Sequence, residues 1–156
     1  MQVYLSGGIE YANNFGKDWR KDLSIWLTST LHHKVFDPTY ESLVFFRKNF
    51  PNFKREQLKS LTFNEIRNII SKLIDFEIST ILNDIDYVIC LWDESCALGA
   101  GTQGEITVAK YFKKPVYLVT KIDKIKIPSW VIGCSQEIFN DFNDLKQFLQ
   151  NKYLST

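Results

Sequence analysis

Residues 86–119 read DYVICLWDESCALGAGTQGEITVAKYFKKPVYLV. The opening DYVICL is nearly all apolar, the pattern of a strand buried on both faces. Gly99, Gly101 and Gly104 follow, then Glu105, then a helix predicted over about 103–112 and a valine-rich strand over 115–120. Strand, loop, helix and strand in that order form the repeating unit of a parallel sheet, because parallel neighbours need a crossover between them. The chain has seven glycines, and three stand just ahead of one carboxylate. Lacking a Cβ, glycine lets backbone amides approach a ligand or take a positive φ. The stretch therefore predicts a loop that meets a small molecule through its backbone, with Glu105 placed to do chemistry. In the first turn of its helix, Glu105 would be kept ionised by free N–H groups and the helix dipole.

The rest of the chain extends this unit. Residues 2–6 form a β-prone run ended by Gly7 and Gly8. Asn13 or Asn14 is the expected cap of a helix reaching about residue 29, with Phe15, Trp19, Leu23, Trp26 and Leu27 at helical spacing. Residues 34–36 read as a second strand, stopped by Asp37-Pro38. Thr62 and Glu65 stand at capping-box spacing ahead of a long helix to about residue 83. On it Ile66, Ile69, Ile70, Leu73, Ile74 and Ile81 share a face into which Glu77 projects, whereas Asp75 points the opposite way. Residues 132–139 are an expected edge strand and 142–152 a closing helix. Residues 40–61 mix Phe45, Phe46, Phe50 and Phe53 with basic residues. They read as a short helix plus loops, either a flap near the site or a satellite aromatic core.

Alternating strands and helices predict an α/β fold: a doubly wound parallel sheet of about five strands flanked by helices. No repeat or linker interrupts residues 1–156, which suit one domain. In such sheets ligands bind beyond the carboxyl ends of the strands, at the point where strand order reverses. Three loops should converge there: the one after the first strand, residues 92–105, and the chain from Thr120 onward.

Composition narrows the function classes. The net charge is +1, with only a mild basic cluster over 47–59, which argues against a nucleic-acid binder. Three cysteines without a CxxC read as reduced thiols of a cytoplasmic protein. The adjacent His32 and His33 are poorly placed to chelate one metal, so no metal site is expected. No signal peptide or membrane-spanning run is apparent. No GxxxxGK[ST] phosphate loop occurs, and no Ser-His-Asp set can be assembled. Glu77 is a candidate because a carboxylate on an apolar helix face needs a partner or a polar cavity. Asp93 and Glu94 close the central strand, where ligand-contacting residues often sit.

VYLSGG at the start, the DYVICLWD strand and GAGTQGEITVAKYFKKPVYLV together resemble the nucleoside 2-deoxyribosyltransferase superfamily, which includes nucleoside 5′-monophosphate N-glycosidases. The likeness covers about 1–38 and 73–149; residues 40–72 have no counterpart and read as an insertion. The resemblance implies a flavodoxin-like sheet, no cofactor, a small nucleoside or nucleotide as partner, and a homo-oligomer. It implies that Glu105 is the nucleophile attacking the anomeric carbon and that Tyr4 positions it. Of the acids near the family's base-recognising aspartate, this chain offers Glu77 and Asp75. The family's second aspartate, six residues before the nucleophile, is replaced by Gly99, so its role is vacant or passes to Asp93 or Glu94. The segment around Trp130 resembles one that reaches a neighbouring subunit's site. The expected reaction is cleavage of an N-glycosidic bond through a glycosyl-glutamate, with transfer to another base or to water. Ser6, Gly7, Gly8, Gly101 and Thr102 would hold the sugar and any 5′-phosphate. No arginine lies in the first loop to clamp a phosphate, which leans toward nucleosides, although Lys54 or Arg55 could compensate. Two rivals are a non-catalytic nucleotide-sensing module of the same fold and an interaction domain without a ligand.

Overall fold

The computed structural model describes residues 1–154, so the last two positions of the expected 1–156 domain lie outside the described residues. Five strands form the sheet: β1 (Gln2–Gly7), β2 (Lys34–Phe36), β3 (Tyr87–Leu91), β4 (Val116–Val119) and β5 (Glu137–Phe139). They are all parallel in the order β2-β1-β3-β4-β5. Strand order reverses between β1 and β3, so the ligand crevice of this topology opens beyond their carboxyl ends. Among the described residues seven α-helices connect and cover the strands: α1 (Lys17–Thr30), α2 (Pro38–Asn49), α3 (Phe63–Asn83), α4 (Glu94–Leu98), α5 (Gly101–Tyr111), α6 (Ser129–Cys134) and α7 (Phe142–Tyr153).

The period-two alternation of β1 sorts its side chains between two cores. Val3 and Leu5 join Leu23, Leu27, Leu145 and Leu149 beneath α1 and α7. Tyr4 points to the opposite face, with Ile81, Ile106 and Val131 of α3, α5 and α6. Ser6 follows Tyr4 on that second face. Register across the switch point pairs Tyr4 with Val88 and Ser6 with Cys90.

Several local expectations are corrected. Asn13 and Asn14 do not cap α1. They lie in a tight turn where Asn14 and Phe15 take positive φ, and Gly16 at φ 66° is the cap residue. A Cβ on Gly16 would come within 2.6 Å of Gly8 O, so the turn requires both the missing side chain and the left-handed backbone. Asp37-Pro38 ends β2 but also starts α2: Asp37 Oδ1 accepts from Thr39 N at 2.8 Å, and Pro38 fits the first helical turn. Residues 132–139 divide into the end of α6 and the short strand β5. The capping box at Thr62 and Glu65 is present, with Thr62 N donating to Glu65 Oε2 at 2.8 Å.

Residues 38–62 contain α2 and a 3-10 turn over Arg55–Ser60. Phe46, Ile69 and Leu73 bury against Phe45, Phe50 and Phe53 in a satellite core that ties this connection to α3. Of the two sequence expectations the satellite core is the one seen, and the segment also brings Arg55 to the wall of a cavity. No helix among the described residues is long and apolar enough to cross a membrane.

Candidate active site

Tyr4 and Ser6, two residues apart on one face of β1, reach the same carboxylate. Tyr4 Oη donates to Glu105 Oε1 at 2.7 Å, and Ser6 Oγ donates to Glu105 Oε2 at 2.5 Å. Each oxygen of Glu105 thus has its own donor, which fixes the plane of the carboxylate. Tyr4 is fully buried. Its hydroxyl would cost about 1–3 kcal/mol if left without a partner, so the bond to Glu105 is structurally required as well as orienting. The phenol is pushed up by burial and then by the negative charge of Glu105, so it stays a donor.

Glu105 lines a cavity of about 440 Å³ at the switch point. Gly7, Gly8, Gly101 and Thr102 share that wall, with Glu77, Ile74 and Leu73 of α3 opposite. Ideal Cβ atoms built on Gly101 and Gly104 would meet nothing within 4 Å. These two glycines therefore leave open space. None of the loop glycines takes a positive φ, contrary to the expectation that the loop is glycine-rich for conformational reasons. Gly8 differs: its Cβ would fall 1.9 Å from Ser95 Oγ, so a side chain there would force Ser95 to turn out of its hydrogen bond to Asp93. Gly99, Gly101 and Gly104 stand at G-x-G-x-x-G spacing, but α4 separates them from β3. They do not open a helix directly after a strand, as a dinucleotide-binding turn does.

The helix dipole is not the main influence on Glu105. α5 begins at Gly101, two residues before the expected start, so Glu105 lies beyond its first turn. Burial raises its carboxyl pKa, and the Ser6 and Tyr4 hydrogen bonds, then Arg20 and Arg55, draw it only part of the way back, so it stays above the ordinary carboxyl value. Arg20 is a residue that the sequence reading missed. It is fully buried, and its guanidinium donates to Leu5 O, Gly7 O and Gly16 O at 3.1, 2.8 and 3.0 Å, with Asp37 Oδ1 at 3.8 Å from Nε. It pins the first loop to the start of α1 and supplies buried positive charge near Glu105. Its spacing from Leu23 and Leu27 on the inward face of α1 was the available signal.

Glu77 is pushed up to about 8, first by burial and then by the charge of Glu105, against the pull of Arg55 and Arg20. Two carboxyl groups in one cavity resist ionising together. Glu105 has two hydrogen-bond donors and Glu77 has none, so near neutral pH the proton resides on Glu77.

No family model matches this chain, and no curated protein matches it by sequence. Solved structures do. The 2-deoxyribosyltransferase of the psychrotolerant bacterium Bacillus psychrosaccharolyticus, characterised as a biocatalyst for nucleoside synthesis, aligns with TM-score 0.58 at 17% identity, over 94% of this chain and 90% of that one. A conserved protein from Enterococcus faecalis V583 aligns with TM-score 0.63 at 13% identity, over 97% of this chain and 98% of that one. The chain has the nucleoside 2-deoxyribosyltransferase-like fold.

Within this fold the remaining candidates separate. Asp75 is exposed on α3 and does not line the cavity, because two residues along a helix turn it about 200° away from Glu77. Asp93 lies outside the cavity and caps α4, its Oδ1 accepting from Ser95 N at 2.9 Å and Ser95 Oγ at 2.5 Å. Glu94 is exposed in the first turn of that helix. Ser6 meets Glu105, so its hydroxyl is engaged within the protein. His33 is buried at the opposite end of the sheet against Tyr87, with Nδ1 at 2.9 Å from the phenol oxygen. Among the described residues no three His, Cys, Asp or Glu side chains are grouped to hold a metal ion.

Proposed function

We propose that this protein cleaves the N-glycosidic bond of a nucleoside, a 2′-deoxynucleoside in the first instance, with Glu105 as nucleophile. The observation that carries this reading is the carboxylate itself: both oxygens are oriented by Tyr4 and Ser6, and it lines a cavity of about 440 Å³ beside a second carboxyl, that of Glu77. Likeness of fold to a 2-deoxyribosyltransferase supports the nucleoside class.

In the first step a Glu105 oxygen forms a bond to C1′ as the C1′–N bond breaks, and the electron pair leaves with the base. Glu77 gives its proton to a base nitrogen, so the base departs neutral. The transition state has oxocarbenium character, as in retaining glycosidases. In the second step water or another base attacks C1′, the C1′–O bond to Glu105 breaks, and the Glu77 carboxylate takes up the attacker's proton. A covalent intermediate divides one difficult displacement into two easier ones. Glu77 suits the acid role because a pKa near working pH balances proton availability against donor strength. Gly101 and Thr102 border the space left for the sugar.

The test is to incubate the protein with a 2′-deoxynucleoside, quench, digest, and analyse by mass spectrometry. A deoxyribosyl adduct on the peptide holding Glu105, absent from E105Q, is the expected result. Binding without release of free base from any nucleoside would sink the reading in favour of a sensing module. Self-association belongs to the same proposal: Trp130 is 65% exposed on α6, with Nε1 donating to Thr107 at 2.8 Å. A purely monomeric sedimentation profile at micromolar concentration would remove that part.

A further inference from the structure

Arg55 is the single basic side chain lining the Glu105 cavity. Its Nη1 donates to Ser42 Oγ at 3.0 Å, and Ser42 is fully buried on α2. Among the described residues this is its only hydrogen bond, and it joins no ion pair. A guanidinium presents five N–H donors in a rigid fork, so most of this donor set has no protein acceptor. An uncommitted, half-buried fork at a cavity wall calls for an acceptor on the ligand.

The surroundings decide which acceptor. Glu77, then Glu10, Glu56 and Glu105, are the carboxyl groups acting on Arg55. Three of the four also line the cavity. A phosphate dianion entering there would meet one cation among several carboxyl groups, whereas a neutral carbonyl oxygen would not be repelled. The chemistry favours a base carbonyl, and the phosphate-clamping role anticipated for Arg55 from the sequence is set aside.

We propose that Arg55 and Glu77 together read the edge of the departing base and make the cavity selective for 6-oxopurine nucleosides without a 5′-phosphate. The inference rests on the glycosidic reading above. A 6-oxopurine shows two adjacent acceptors, O6 and N7, whereas adenine shows N7 beside an amino donor. The Arg55 fork donates to O6 and the Glu77 carboxyl donates to N7. Adenine would set its amino N–H against the guanidinium. As the C1′–N bond breaks, its electron pair passes into the base, charge gathers on O6 and the ring nitrogens, and the Glu77 proton moves to N7. Arg55 then binds the transition state more tightly than the ground state, so it acts on kcat.

The experiment compares the full chain with R55Q and R55K on 2′-deoxyinosine, 2′-deoxyguanosine, 2′-deoxyadenosine and the three 5′-monophosphates. The wild type is expected to favour the two oxopurine nucleosides by about 10- to 100-fold in kcat/KM, the discrimination of one good bidentate base contact. R55Q should lose that margin, with a loss on the two oxopurine nucleosides about 10-fold or more larger than its loss on deoxyadenosine, and R55K, which keeps the charge without the fork, should fall between. An equal loss on all nucleosides in R55Q, or monophosphates preferred in the wild type with the preference lost in R55Q, overturns the proposal and leaves the glycosidic reading standing. If none of these compounds is turned over, calorimetric binding decides, and the glycosidic reading is tested separately on the pyrimidine 2′-deoxynucleosides. Deoxyinosine bound more tightly than deoxyadenosine, with the margin lost in R55Q, upholds base recognition; equal or absent binding overturns it. Thermal unfolding of both variants monitors the fold, and R55K carries the comparison if R55Q unfolds.

Discussion

Two of the concavities on the carboxyl edge of this sheet differ in what their carboxyl groups do, and the proposed chemistry belongs to the smaller of the pair. The larger is a groove of about 1080 Å³ bordered by Trp19, Asp93, Lys121, Asp123 and Asp141, and it does not include Glu105. Its three named aspartates are all engaged in holding the backbone. Asp93 accepts from Ser95 N, Asp123 from Ile125 N, and Asp141 from Asn143 N and Asp144 N. In the 440 Å³ cavity the carboxyl groups have different partners: Glu105 is oriented by two side-chain hydroxyls, and Glu77 makes no hydrogen bond among the described residues. Volume alone does not mark a site. Carboxyl groups whose partners leave them reactive do, and helix caps are the opposite case because neutralising backbone N–H groups is their whole role.

The sharpest way to break this contrast is Glu105→Gln. It keeps the shape and removes the nucleophile, so kcat/KM should fall on the order of 10⁴-fold. Thermal stability should hold, because a buried charge is removed while the amide can still accept from Tyr4 and donate to Ser6; a chromatographic assay of base release beside a melting curve checks both. Tyr4→Phe comes next. Loss of the 2.7 Å bond frees one carboxylate oxygen, and rates should drop about 10- to 100-fold, in line with a hydrogen bond to a charged group. Steady-state kinetics should place the loss mainly in kcat.

Glu77→Gln sharpens the comparison through pH. With its pKa pushed up to about 8, Glu77 is a usable proton donor at neutral pH, so kcat should decline as pH climbs past that value, and E77Q should be slower and lack this limb. The sign for stability follows from linkage. The folded state holds the Glu77 proton more tightly than the unfolded chain does. The contribution is therefore complete below the ordinary carboxyl range near 4.5 and is lost as pH rises through about 8. Urea midpoints of wild type should fall across that window relative to E77Q. The smallest effect belongs to the groove: Asp93→Asn should leave kcat/KM within about threefold and the melting point within about 1 °C, because an Asn oxygen caps a helix about as well as an Asp oxygen does. A larger catalytic loss in D93N than in Y4F would reverse the contrast between the two concavities.

Much of the fold was legible along the chain. Val3, Tyr4 and Leu5, then Tyr87 through Leu91, carry apolar runs that only a doubly covered parallel strand satisfies, and Thr62 with Glu65 marks the start of α3 by purely local bonding. Misreadings fell where short-range signals compete. Asn13 and Asn14 are cap-prone residues that instead form a turn, because Arg20 draws the carbonyls of Gly7, Gly8 and Gly16 together. Helical spacing already told Asp75 and Glu77 apart by putting only Glu77 on the apolar face of α3; that this face looks into a cavity beside Glu105 emerged only in the fold.

The sequence alone determined the alternation of strands and helices, and it singled out Glu105, because apolar periodicity and glycine placement are local properties of a chain; Tyr4 was pointed to by the family resemblance. The tertiary structure decided what those residues face. It brought Ser6 to the second oxygen of Glu105, set Glu77 beside it with a raised pKa, buried Arg20, and carried Arg55 into the cavity from the connection between α2 and α3. The physical reason is that hydrogen bonds and charge interactions act over a few ångströms in space, and residues such as Tyr4 and Glu105, 101 positions apart, become neighbours only when the sheet is assembled.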